Sequence, residues 1–196
     1  MIEDRIVDAA LVCVARWGIA KTTLDDVARE AGCGRATIYR AFSGGKGAVL
    51  RAVLQREILR AMTEVDVAVA GAATLDELVI DGTVAGARFL RGHEALAFLL
   101  AHEPDAVLPH VAFDKLERLF AAVSAFVAPH LARFLPVEEA PEAADWLTRV
   151  VLSYALNPSD RFDLTVEADA RRFVTPYVIP ALTPIPARPR STHVHQ

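Results

Sequence analysis

Between residues 35 and 46 the chain sets Arg35, Thr37, Tyr39, Arg40 and Lys46 at short intervals. An arginine fork can donate two parallel hydrogen bonds to a phosphate or to a base edge. A hydroxyl and a phenol donate singly to phosphate oxygens, and a lysine supplies a compact positive charge. This is the chemistry of groove and phosphate contact. Chemistry of other kinds is hard to find. There is no nucleophile elbow and no Rossmann glycine pattern. Gly44-Gly45-Lys46-Gly47 has neither the spacing of a phosphate loop nor a strand before it. His93, His102 and His110 show no i,i+4 pair and have no nearby cysteine, so no metal set is expected. The expectation is a protein that binds, without catalysis and without a cofactor.

Charge supports a polyanion partner only when it is located. The whole chain carries -4, yet residues 1–60 balance to +3 and the remainder to -7. Within 35–60 the basic residues Arg35, Arg40, Lys46, Arg51, Arg56 and Arg60 face Glu57 as the one acid. A basic unit on an acidic body marks a local binding surface. Cys13 and Cys33 form no disulfide framework, which fits a reducing cytoplasm. Glu3, Asp4, Arg5 and Asp8 interrupt any leader-like apolar run, and no stretch is long enough to span a membrane.

The elements that must carry these residues read as helices, and the fold class is all-α. Ile2, Ile6, Ala9, Ala10, Cys13, Val14 and Trp17 recur at three- and four-residue steps up to a stop at Gly18, with Trp17 expected in the core. Thr23 followed by Asp25 and Asp26 is a helix start, and Gly32 is a sharp turn. A third helix spans about 35–41, with Ile38 and Phe42 turned inward and the polar residues outward. A fourth runs from about Lys46 to Val69 or Ala70, and Gly47 predicts a frayed first turn. Further helices are expected at about 75–91, 94–102, 105–128, 141–156 and 163–180, broken or started by prolines.

Three blocks resemble the TetR family of bacterial regulators: Thr22 to Gly32, Thr37 to Phe42, and Lys46 with Ala48-Val49-Leu50. The resemblance spans roughly residues 3–56. It implies an N-terminal three-helix helix-turn-helix domain, residues 1–45, followed by a helical effector-binding and dimerisation domain, residues 46–182. Residues 183–196, with Pro184, Pro186 and Pro189, are expected to be a disordered tail. It also implies roles. Thr23 would cap the second helix and touch phosphate. Arg35, Ala36 and Thr37 would enter the major groove, Tyr39 and Arg40 would contact phosphate, Arg40 reaching toward a base, and Lys46 would bind phosphate. The sequence departs from the family pattern at Cys33, at Gly34 in the cap position and at Gly44-Gly45-Lys46-Gly47.

For the second domain the resemblance implies a homodimer on a double-stranded, palindromic operator, acting as a repressor. It also implies an effector site between helices. The apolar residues Phe89, Leu96, Phe98, Leu99, Phe113, Leu116 and Phe120, with His93 and His102 as polar anchors, favour a hydrophobic small molecule. Trp146, Val150, Tyr154, Phe173 and Tyr177 are the candidates for the dimer interface. The alternative is a regulator of the same type without a small effector, controlled by a protein partner or by abundance.

Overall fold

The computed structural model describes residues 1–103, 114–157 and 159–183 of the chain. The chain is all-α. The ladder pairing among the described residues is an isolated bridge between Ser159 and Phe162.

The first helix, α1 (Ile2–Lys21), buries Ile6, Ala9, Ala10, Cys13 and Val14 along one face. Gly18 interrupts it with φ 80° and ψ 174°, a conformation open essentially to glycine. Trp17, expected inside, is 38% exposed, because the regular helix ends beside it and the chain turns away at Gly18. Helices α2 (Leu24–Glu30) and α3 (Arg35–Ala41) follow at the predicted places. Gly32 between them has φ 61°. Arg5 of α1 donates to the carbonyl of Ala31 at 2.6 Å, so the end of α2 is held by the first helix.

The long helix α4 (Gly45–Val69) belongs to two cores. Val49 and Val53 complete a cluster with Ile6, Cys13, Leu24, Val27 and Ile38, which is the core of the head. The head core therefore extends past residue 45, where the sequence suggests a division. Val69, at the other end of α4, joins the core of the body, with Ile80, Leu131, Ala144, Phe173 and Val174. Arg133 donates to the carbonyls of Val69 at 3.2 Å and Ala72 at 2.7 Å. A cation there satisfies orphan carbonyls and suits the negative end of the helix dipole.

The body continues with α5 (Leu75–Gly92), α6 (Glu94–His102), α7 (Asp114–Leu131) and α8 (Ala140–Leu156). Thr74 caps α5 by accepting from the amide of Glu77 at 3.2 Å. The helix expected at 105–128 is described from Asp114 and runs through Pro129 to Leu131. Pro129 sits in the last turn, where losing one backbone donor does not end the helix. Helix α7 packs along α8.

The final segment differs most from its prediction. Its helix begins at Glu167 and not at 163. Asp163 is occupied instead in a turn, accepting from the Thr165 amide at 2.9 Å and from Arg91 of α5 at 2.6 Å. After α9 (Glu167–Phe173) the chain widens into a π-helical turn, Val174–Val178, before α10 (Ile179–Leu182). Pro176 lies in the wide turn and Pro180 in the first turn of α10. A proline tolerates both places because its missing N–H is not needed there.

The Arg91 guanidinium, then the Thr165 hydroxyl and amide, hold the Asp163 carboxyl at about 2, below the ordinary 3.8. A depressed carboxylate adds stability above its unfolded value and loses it as the pH falls through its folded one. The acid-side melting curve should therefore decline between 3.8 and about 2, and Asp163→Asn should flatten that step. Thermal melts across this range check it, and an unchanged slope in the variant would contradict the assignment.

Candidate nucleic-acid interface

The head presents α3 with Ile38 fully buried beneath it. Arg35, Ala36, Tyr39 and Arg40 are exposed and Thr37 is half-buried. With Ile38 turned inward, the helical period carries these neighbours to the outer surface. The sequence-predicted face is thus assembled on one short helix.

Its members are already organised by hydrogen bonds. Arg35 donates to Asp25 at 3.2 Å and to the Tyr39 hydroxyl at 3.4 Å, with its guanidinium 5.7 Å from the tyrosine ring centre. Arg40 donates to the Thr37 hydroxyl at 3.2 Å. Thr23 forms a reciprocal cap with Asp26: its hydroxyl accepts from the Asp26 amide at 3.2 Å and donates to the Asp26 carboxylate. The Thr23 hydroxyl and amide hold the Asp26 carboxyl below its usual range. A phosphate bonded by Thr23 would take the proton that Asp26 now accepts.

Asp25 is a residue that sequence reasoning missed. It was read as a dipole partner of α2, yet it holds Arg35 from the neighbouring helix. The ten-residue separation across a turn gives no periodic signal.

The glycines at the entry of α4 also have a specific role. Gly45 has φ 58° and is buried, and a Cβ there would sit 3.4 Å from the Tyr39 ring. Its amide donates to the Phe42 carbonyl at 3.0 Å. The helix starts at Gly45, ahead of Gly47 and one residue before the expected Lys46. Lys46, read as a phosphate ligand, points its ammonium to the carbonyls of Ile19 at 2.6 Å and Ala20 at 3.4 Å.

The effector candidates are spread differently. Phe89, Leu96, Phe98, Leu99 and Phe120 are half-buried, and His102 is exposed and stacked on Phe98 with ring centres 4.5 Å apart. Arg149 lies 4.6 Å over Phe120. His93 caps α6, its Nδ1 accepting from the Leu96 amide at 3.1 Å. Its Nε2 lies 3.3 Å from the buried carboxylate of Glu57. Phe113, His110 and the side chain of Leu116 lie outside the described residues.

Among the dimer candidates, Trp146 and Tyr177 are 37% and 59% exposed and Val150 and Tyr154 half-buried. Phe173 is instead a core residue of its own chain, 4% exposed, with Tyr154 at 4.5 Å and Phe162 at 5.5 Å between ring centres. Its aromatic bulk fills the gap where α9 meets α8, and nothing of it is left for a second copy. Among the described residues no helix is long and apolar enough to cross a membrane.

Known proteins share this arrangement. Residues 6–53 match the model of the bacterial regulatory proteins of the tetR family. Two relatives from strains of Mycobacterium tuberculosis, each described as an uncharacterized HTH-type transcriptional regulator, are 28% identical over 192 residues, 97% of this chain and 90% of theirs. The TetR-family repressor AlkX from Dietzia sp., implicated in biodegradation of n-alkanes, superposes with a TM-score of 0.66 at 18% identity, over 92% of this chain and 97% of that one. The fatty acid degradation regulator FadR from Bacillus halodurans gives 0.59 at 19% identity, over 87% and 96%. FadR from Bacillus subtilis, solved in complex with stearoyl-CoA, gives 0.56 at 17% identity, over 87% and 96%. The arginines and tyrosine of α3 are thus displayed on a segment that matches the DNA-binding head of the tetR-family regulators, and over nearly its whole length the chain is similar to HTH-type transcriptional regulators.

Proposed function

We propose that the protein is a homodimeric repressor that binds a palindromic operator and is released by a hydrophobic small molecule. The observation that carries this reading is the outer face of α3, where Arg35, Ala36, Tyr39 and Arg40 are exposed above the buried Ile38. Arg35, Ala36 and Thr37 are the groove-entering candidates. Thr23, Tyr39, Arg40 and Lys46 are the phosphate-contacting ones, Arg40 also reaching toward a base, and Lys46 would exchange a backbone carbonyl for a phosphate. Two-fold symmetry would set recognition helices roughly 34–36 Å apart. Trp146 and Tyr177 leave apolar rings at the surface of α8 and of the π-helical turn, which suits a second copy. The half-buried Phe89, Leu96, Phe98, Leu99 and Phe120 suit an acyl chain, and a structurally similar regulator was solved with stearoyl-CoA. Such a repressor would act in the cytoplasm. A regulator without a small effector is the second reading, favoured by the engagement of His93 with Glu57 and Leu96, which leaves no ring nitrogen free as an anchor.

Selection of bound duplexes from a random pool tests the proposal. Alanine in place of Tyr39 or Lys46 should weaken the selected site and unrelated DNA alike, and lower the salt slope by about one. Arg40→Ala should cost about 1–3 kcal/mol on the selected site and relax its sequence preference. Equal affinity in all three variants would sink the site assignment. Titration with stearoyl-CoA should release the duplex if the effector is a long acyl chain, and no release would favour the second reading.

A further inference from the structure

The last turn of α1, after its break at Gly18 and just before α2, is gripped from both sides by residues distant in sequence. After the break at Gly18, the amide of Ile19 donates to the Glu103 carboxylate at 2.8 Å, and that of Ala20 at 3.2 Å. Glu103 stands at the C-cap of α6, more than eighty residues away, and is half-buried. On the other side, Lys46 of α4 donates to the carbonyls of Ile19 and Ala20. The same two residues thus have their donors held by the body and their acceptors held by the α4 entry. Two successive amides behind a glycine of positive φ form a concavity suited to an anion, here filled by a side chain. Helix α6 is also fixed at its other end, where the cap residue His93 meets Glu57 of α4. It therefore joins the middle of α4 to the turn that leads into the DNA-reading helices.

We propose that Glu103 is a positioning residue for operator binding: its carboxylate latches the head to the end of α6 and so fixes the angle at which α3 is presented. This rests on the dimeric operator reading above. A symmetric operator needs two heads at one spacing. A head freed from Glu103 samples other angles, and the affinity falls by the fraction of time both heads are aligned. Anything that draws the end of α6 away from the turn would withdraw the latch and release the operator. No contact between Glu103 and DNA is involved.

The test uses the full chain and the duplex that the wild-type protein recovers from a random pool. Three further probes are a single half-site and two duplexes with the half-sites one base pair closer or farther apart. Glu103→Ala should bind the full site about tenfold more weakly, with Glu103→Gln, which keeps one acceptor, between it and the wild type. Half-site affinity should stay within about twofold, because each head remains folded. The penalty for altered spacing should shrink in both variants, an effect that mere destabilisation would not produce. The amides of Ile19 and Ala20 should exchange faster with solvent. Full-site binding within about twofold of wild type overturns the latch, as does an equal loss on half-site and full site. Unchanged amide exchange also overturns it. If the wild-type protein recovers no duplex, the operator reading falls, and the latch with it.

Discussion

Ile38→Ala should lower the stability of the head by about 2–5 kcal/mol and remove measurable operator binding at physiological temperature. Ile38 is 0% exposed and is the one fully buried residue of α3, a helix of seven residues. A helix this short is unstable alone and persists through the face it buries. Truncating its central apolar side chain leaves a cavity between α3 and the other helices of the head. The loss is a large share of the roughly 5–15 kcal/mol that holds a typical domain. Urea unfolding followed by far-ultraviolet dichroism gives the stability change, and fluorescence anisotropy gives the binding. A stability loss below about 1 kcal/mol would mean that α3 is held mainly by its polar contacts, against the assignment made here.

The second large effect is expected at Gly18. With φ 80° and ψ 174°, an alanine there carries backbone strain of about 1–3 kcal/mol. Its Cβ would also overlap the Glu103 carboxylate. The variant must either distort the turn or expel Glu103, so Gly18→Ala should lower the melting temperature and show the weakened full-site binding of Glu103→Ala. Gly86→Ala is the contrast. That glycine lies inside α5 with nothing within 4 Å of its virtual Cβ, so alanine should stabilise by about 0.5–1 kcal/mol. Melting curves of the two variants should move in opposite directions. A Gly18→Ala melting temperature at or above that of the wild type would show that the conformation at Gly18 is not a constraint.

The features legible in the sequence were those whose cause is local. Thr23 caps α2 through Asp26, three residues on, and that spacing is visible in a string of letters. Gly32 takes a positive φ because the tight turn requires one there. The outward set on α3 follows from the period of a helix once Ile38 is turned in. Features set by contacts between distant segments were not legible. Nothing near Glu103 in sequence announces the amides of Ile19 and Ala20 that it accepts from. Lys46 looked like a free cation because its carbonyl partners precede it by more than twenty residues. Phe173 and Trp17 exchanged expectations for a related reason. Periodicity tells which residues share a face, while the neighbouring element decides whether that face is covered. The glycines at the start of α4 looked like weakness, whereas Gly45 takes the positive φ of the turn beside Tyr39.

The grip on the last turn of α1 has a consequence for how such proteins diversify. Glu103 takes amides and Lys46 gives to carbonyls, so neither reads which side chains stand at positions 19 and 20. These contacts are written in main-chain atoms. A head with different base preferences that keeps a glycine at 18 and a lysine at 46 can keep these particular contacts unchanged. Under the function proposed above, a chimera would take its operator from the donor of the head and its releasing compound from the donor of the body.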